Sequence, residues 1–165
     1  MKNKEGTFEE ELIKFEKRDH LSKPHTVIAT NSERENYDFQ ISIDSIDTKQ
    51  IKESKFDHGL QHSVIRKFRR GSIPVFKEID MHGLKFHEAI RVLNESINHI
   101  IETKTVCVLF IHGKGLGSIN QTPIIKPLVK QFLLCHPRIL AYTPAPKKLG
   151  GEGATLALIR RIRRG

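Results

Sequence analysis

The stretch VCVLFIHGKGLGS (Val106–Ser118) decides how the chain is read. Its first six residues are apolar without alternation, the pattern of a strand buried on both faces. The run breaks at His112-Gly113-Lys114-Gly115, with Gly117 and Ser118 close behind. A connecting turn needs one glycine or two. Three of them around a lysine, with a histidine at the mouth, suit a loop that meets a phosphate.

On either side of this strand, strand and helix patterns alternate. VFKEIDMHG (Val75–Gly83) alternates and stops at a glycine, as a strand does. In FHEAIRVLNESINHIIET (Phe86–Thr103), Ala89, Ile90, Leu93, Ile97, Ile100 and Ile101 form one stripe, predicting a helix of about five turns. TPIIKPLVKQFLLCHP (Thr122–Pro137) is a second helix, with Pro123 suited to its first turn and Pro127 near enough to that start to be tolerated. RILAYTPA (Arg138–Ala145) and GATLALIRRI (Gly153–Ile162) are strands. The order is β-α-β-α-β-β, an α/β class. Its two β-α-β crossovers predict parallel neighbours. The loop PAPKKLGGEG (Pro144–Gly153) is long enough for a hairpin or for a crossing over the sheet.

Upstream, DHGLQHSVIRKFRRG (Asp57–Gly71) places Leu60, Val64, Ile65 and Phe68 on one helical face. Arg66, Lys67, Arg69 and Arg70 gather in the last turns, where they suit the helix dipole. A basic helix lying on nucleic acid and a packing helix with solvated charges fit this pattern equally well. Residues 20–55 read as a polar linker with one short extended piece in YDFQISIDSI (Tyr37–Ile46). Phe8, Leu12 and Phe15 sit at helical spacing in a segment too short to bury much alone. The chain therefore divides into a polar extension (1–55), a basic helix (56–74) and an α/β domain (75–165).

A chain of 165 residues is long enough for one domain with a core. No apolar run approaches the ~18 residues of a membrane span, and the acidic, polar start MKNKEGTFEEEL is not a secretory signal. Cys107 and Cys135 lie in apolar contexts and read as buried free thiols of a cytoplasmic protein, with no C-x-x-C for zinc. The net charge of +9 is unevenly spread. Residues 1–55 hold 10 Lys or Arg against 12 Asp or Glu, whereas residues 56–165 hold 18 against 7. A basic second part is the footprint of a partner polyanion, most often nucleic acid, although simple solubility produces the same imbalance.

Three glycine-marked stretches fall near strand ends, where open α/β sheets bind ligands. They are Asp80-Met81-His82-Gly83, His112–Gly115 and Gly150-Gly151-Glu152-Gly153. Two apart in extended chain, Asp80 and His82 share a face. A carboxylate beside an imidazole fixes its tautomer and raises its basicity, as a general base needs. Taken alone, the pair reads more plainly as a turn cap beside a packed histidine. The lysine loop is not Walker A, since Val108 stands where its first glycine belongs and Gly115 where Ser or Thr belongs. That removes an ATPase reading. What remains is an anion nest of Gly113 and Gly115 amides with Lys114 as a point charge. The glycines Gly150, Gly151 and Gly153 either make a wide turn or let a backbone approach closely.

DMHGLKFHEA, VLFIHGKG and GGEGATLALI resemble, in order and spacing, the three hallmark stretches of the small MutS-related (Smr) domain. The likeness covers about residues 75–162. Met81 replaces the family's usual Leu, one apolar residue for another. GLQHSVIRKFRRGSIP is similar to the segment that precedes the domain in the stand-alone bacterial proteins SmrA and SmrB. The resemblance implies a two-layer β-α-β-α-β-β sandwich like the C-terminal domain of translation initiation factor three. It also implies an endonuclease whose SmrB-like members cut mRNA on stalled ribosomes and dock there through N-terminal extensions. It places cleavage at Asp80 and His82, beside the loop His112–Gly115.

RNA supplies its own nucleophile, the 2′-OH, so no metal or other cofactor is expected. His82, oriented by Asp80, is the candidate base. Lys114 with the Gly113 and Gly115 amides is the candidate charge stabiliser, and His112 the candidate acid. Nucleic-acid phosphates are expected at Gly113, Gly115, Gly150, Gly151 and Gly153 and along Arg66, Lys67, Arg69 and Arg70. RNA stands ahead of DNA as partner, with the ribosome reached through the N-terminal extension and no membrane involved. The alternatives are a metal-dependent DNA nickase using Asp80, His82 and His112, and a module that binds RNA or ribosomes without cutting.

Overall fold

The computed structural model describes Glu10 and residues 37–46, 51–100, 104–115 and 124–160. The amphipathic segment of Phe8, Leu12 and Phe15 lies outside these, although Glu10 within it is helical. The elements are β1 (Lys55–Phe56), α1 (His62–Arg69), β2 (Val75–Asp80), α2 (Phe86–Asn98), β3 (Val106–Ile111), α3 (Ile125–Cys135), β4 (Ile139–Pro144) and β5 (Ala154–Ile159). They form one five-stranded sheet in the order β1-β4-β5-β3-β2.

Only the first crossover makes parallel neighbours. β2 pairs with β3 in parallel, but β5 lies between β3 and β4 and is antiparallel to both. The expectation of parallel β3–β4 neighbours is thus corrected. The reason is in β5 itself: all six residues of ATLALI are buried. Such a strand leaves least apolar surface in water at the centre of the sheet. The long loop after β4 is therefore a hairpin connection.

Packing separates by strand parity. Val106, Val108 and Phe110 face α2 and α3, meeting Leu93, Ile97, Leu128 and Phe132. Cys107 and Leu109 face the other way, onto Val64 and Phe68 of α1 with Leu156 and Leu158. Helices on both faces explain why VCVLFI needs no polar alternation. Helix α1 ends in a Schellman cap. Gly71, at φ +61°, donates to Phe68 O at 2.9 Å, and Ser72 N donates to Lys67 O at 2.9 Å. Arg138 closes α2 from outside, its guanidinium donating to Ile97 O and Ile100 O.

Tyr37–Ile46 is no solvated linker piece. Phe39 is buried in the main core, and Tyr37, Ile41 and Ile46 pack against it. The Asn94 side chain of α2 fastens this strap, accepting from Phe39 N at 3.0 Å and donating to Phe39 O at 3.1 Å. The alternation of Tyr37, Phe39 and Ile41 carries the burial, while the polar residues between them face out. Beyond the strap, β1 adds an antiparallel edge to β4. Cys135 is exposed, contrary to its apolar context, while Cys107 is buried and its thiol pushed up to about 12 by burial.

Candidate functional site

β2, β3 and β4 run in one direction and β5 against them. The ends of the first three and the start of the fourth therefore meet at one rim of the sheet. All three glycine-marked stretches lie on this rim.

At the end of β2, Met81 is buried and donates its N–H to Ile111 O at 2.7 Å. That anchor turns its neighbours outward, leaving the Asp80 and His82 side chains 51% and 71% exposed. Asp80 Oδ1 accepts from His82 N at 3.0 Å and meets His82 Nδ1 at 2.5 Å. The carboxylate thus closes the turn and holds the ring. Because it only accepts, Nδ1 carries the proton and Nε2 is left as the basic nitrogen. The bonds from the His82 backbone and then its ring hold the Asp80 carboxyl below the usual carboxylate range, so it stays ionised at neutral pH.

At the end of β3, His112 takes a different place from the one expected. It is 4% exposed, and both ring nitrogens are used. Nδ1 lies 2.9 Å from Gly113 O and Nε2 3.0 Å from Thr155 Oγ1. A carbonyl can only accept, so Nδ1 bears the proton and Nε2 accepts from the Thr155 hydroxyl. Burial lowers the His112 pKa, keeping the ring neutral. The general-acid assignment does not suit a ring held this way; His112 braces the loop instead. Behind it, buried Lys130 of α3 pairs with Glu53, whose carboxyl is lowered chiefly by that hydrogen bond.

Of the two glycine amides of the expected anion nest, that of Gly113 is taken by the protein itself. His112 N and Gly113 N both donate to Gly153 O, at 3.0 and 2.9 Å. The amides of Gly150, Gly151 and Gly153 donate to Lys147 O, Pro146 O and Gly150 O. These four glycine amides are spent on the protein's own carbonyls. Gly113, Gly150 and Gly151 instead supply positive φ, and Gly153 supplies close approach. A Cβ on Gly153 would sit 3.6 Å from Lys114 Cγ, and one on Gly113 3.7 Å from His82 Cβ. The three stretches therefore touch in sequence, third to second to first, with Lys114 exposed between them.

The basic helix arrives at the same rim. A Cβ on Gly71 would fall 2.8 Å from Pro146 Cγ and 2.9 Å from Leu149 Cδ1, so α1 ends seated on the turn before Gly150. Arg66, Arg69 and Arg70 are exposed and Lys67 is partly covered. Arg69 is stacked on Phe56, its Cζ 4.6 Å from the ring centre. With His112 turned inward, the set Asp80, His82 and His112 does not converge. Among the described residues no three His, Cys, Asp or Glu side chains are grouped to hold a metal ion. Thr155 was not singled out from the sequence. Its signal is a lone hydroxyl in an apolar strand, which must find a partner when buried.

A mixed sheet that gathers an Asp–His pair, a lysine loop and a glycine turn at one rim defines a small α/β domain organised around its strand ends. Residues 79–160 match the family model of the Smr domain, and the chain belongs to the Smr domain family. It is 32% identical over 103 residues to the "Ribosome rescue factor SmrB" of Shewanella sp. (strain ANA-3) and to that of Shewanella oneidensis. Each match covers 62% of this chain and 55% of the relative, so the chain spans about half the length of the curated relatives it matches. The crystal structure of YdaL, a stand-alone small MutS-related protein from Escherichia coli, shares the fold. Its TM-score is 0.59 at 24% identity, over 76% of this chain and 95% of that one.

Proposed function

We propose that this chain is an endoribonuclease that cleaves RNA through Asp80 and His82, with no metal in the chemical step. The exposed imidazole, held at Nδ1 by an ionised carboxylate and leaving Nε2 as the basic nitrogen, carries this reading. His82 Nε2 takes the proton of a ribose 2′-OH. The 2′-oxygen attacks the adjacent phosphorus, the bond from phosphorus to the 5′-oxygen breaks, and solvent returns a proton to that oxygen. The products are a 2′,3′-cyclic phosphate and a 5′-hydroxyl. Lys114 stands one strand away and offsets charge on the phosphorane, an effect worth about 3 kcal/mol for one well-placed donor.

Purified protein should cleave labelled single-stranded RNA in EDTA, and RNA carrying a 2′-deoxyribose at the cut should resist. Activity that vanishes in EDTA and returns with a divalent ion hands the chemistry to a metal. Equal cutting of the deoxy substrate removes the 2′-OH mechanism. Absence of cleavage on or off ribosomes leaves a binding module.

The relatives named ribosome rescue factors support mRNA on a stalled ribosome as the substrate. The segment around Phe8, Leu12 and Phe15 is assigned to ribosome docking, because its apolar stripe is too short to fold alone. Deleting residues 1–20 should weaken co-sedimentation with ribosomes and leave cleavage of free RNA intact. Unchanged sedimentation would remove the docking role.

A further inference from the structure

Between β4 and β5 the chain makes a short 3₁₀ turn, Lys147–Leu149, before reaching Gly150. Both lysines are exposed, and neither has a carboxylate partner among the described residues. The turn is fixed on three sides. Leu149 N donates to Pro146 O at 2.8 Å, Gly151 N donates to the same carbonyl, and the end of α1 presses on Pro146 and Leu149. The Lys148 stem lies against Gly71, with Cε 3.2 Å from where a Cβ would be. The two ammonium groups are thus mounted on rigid backbone, which reduces the entropy lost when an anion orders them.

Sheet order gives this turn its meaning. Across the rim run the end of β4 with Lys147 and Lys148, the start of β5 at Gly153, the end of β3 with Lys114, and the end of β2 with Asp80 and His82. Three strand spacings of ~4.8 Å separate the first from the last, about 14 Å along the rim. A Cβ at Gly153 would lie 3.6 Å from Lys114 Cγ, and one at Gly113 3.7 Å from His82 Cβ, so the three strand ends follow one another closely. Glu152 and Asp80 are exposed acids on this stretch. Among the described residues β2 is an edge strand, with no further strand on the far side of His82.

We propose that Lys147 and Lys148 bind backbone phosphates of a single RNA strand lying along this rim, on one side of the bond that His82 attacks. The proposal rests on the RNA reading above and adds a direction to it: the substrate is gripped from the β4 side. A positively charged groove tracking the backbone is how single strands are held without sequence preference.

The test is RNA binding by full-length His82→Ala protein, which removes cleavage from the measurement. Affinity for a single-stranded RNA is measured against salt concentration, with and without Lys147→Ala and Lys148→Ala together. Loss of two phosphate contacts should flatten the plot of log affinity against log salt by about 1.4, at ~0.7 per contact on a single strand. Affinity at low salt should fall severalfold. Lys147→Arg with Lys148→Arg should restore both, which separates charge from folding damage. With His82 in place, the double alanine variant should raise KM and leave kcat near its starting value. An unchanged slope and affinity in the double alanine variant overturns this proposal and leaves the RNA reading standing. Absence of RNA binding by the His82→Ala parent overturns both.

Discussion

His82→Ala lowers the rate of RNA cleavage by a factor of about 100 to 10,000, the range a positioned general base supplies. Affinity for the same RNA stays within about twofold, because a base acts on the transition state and adds little to ground-state binding. The exposure of the ring makes this a clean experiment. His82 is 71% exposed at its side chain, so its truncation opens no cavity, and Asp80 keeps its backbone bond to residue 82. Asp80→Asn should slow the reaction through loss of the ring's orientation while Met81 still anchors the turn. A His82→Ala protein that cuts at the rate of its parent ends the mechanism.

Phe39→Ala should destabilise the fold by about 3 kcal/mol, the low end for a buried aromatic cut to alanine. Phe39 is only 6% exposed and meets Phe132 edge to face, with ring centres 5.2 Å apart. The adjacent bonds to Asn94 hold the backbone but cannot refill the ring's volume. Urea unfolding measures the change as a shifted midpoint at similar slope. A shift under about 0.5 kcal/mol would mean that the strap is peripheral after all, since substitutions outside the core fall in that range. The same reasoning bears on fragments. A chain begun at residue 56 lacks this cover over α3, so its RNA binding and its stability must be measured together.

Much of the architecture was legible because burial leaves a direct mark on composition. VCVLFI reads as a strand covered on both faces, GATLALI as a strand, and the stripe of Ala89, Leu93 and Ile97 as a helix, and all three elements are present. Lateral order was not legible. Whether β5 sits beside β4 alone or between β4 and β3 is decided by which arrangement buries it, and chain order carries no trace of that. The strap hid for another reason: its inward residues are diluted by Asp38, Gln40 and Ser42 in a polar region.

At the rim, residue types were readable and their partners were not. Spacing of two placed Asp80 and His82 on one face, and the structure brings them into contact. The spacing could not show that Thr155, 43 residues on, would occupy His112, nor that the glycine amides would be spent on Gly153 O and Pro146 O. Glycine in a sequence reports freedom of the backbone. It does not report where the N–H points.

The central position of β5 has a consequence for how the protein comes into being. Before Ala154–Ile159 is added, the sheet exists as two separate ribbons, β2 with β3 and β1 with β4, and two-stranded ribbons are marginal in water. The strand that joins them is also the one that carries Thr155 to His112 and Gly153 O to the lysine loop. During synthesis, then, the lysine loop cannot take its braced form until the last described strand has left the ribosome exit tunnel. Pairing across so many residues is slow to form, and it ties assembly of the rim to completion of the domain.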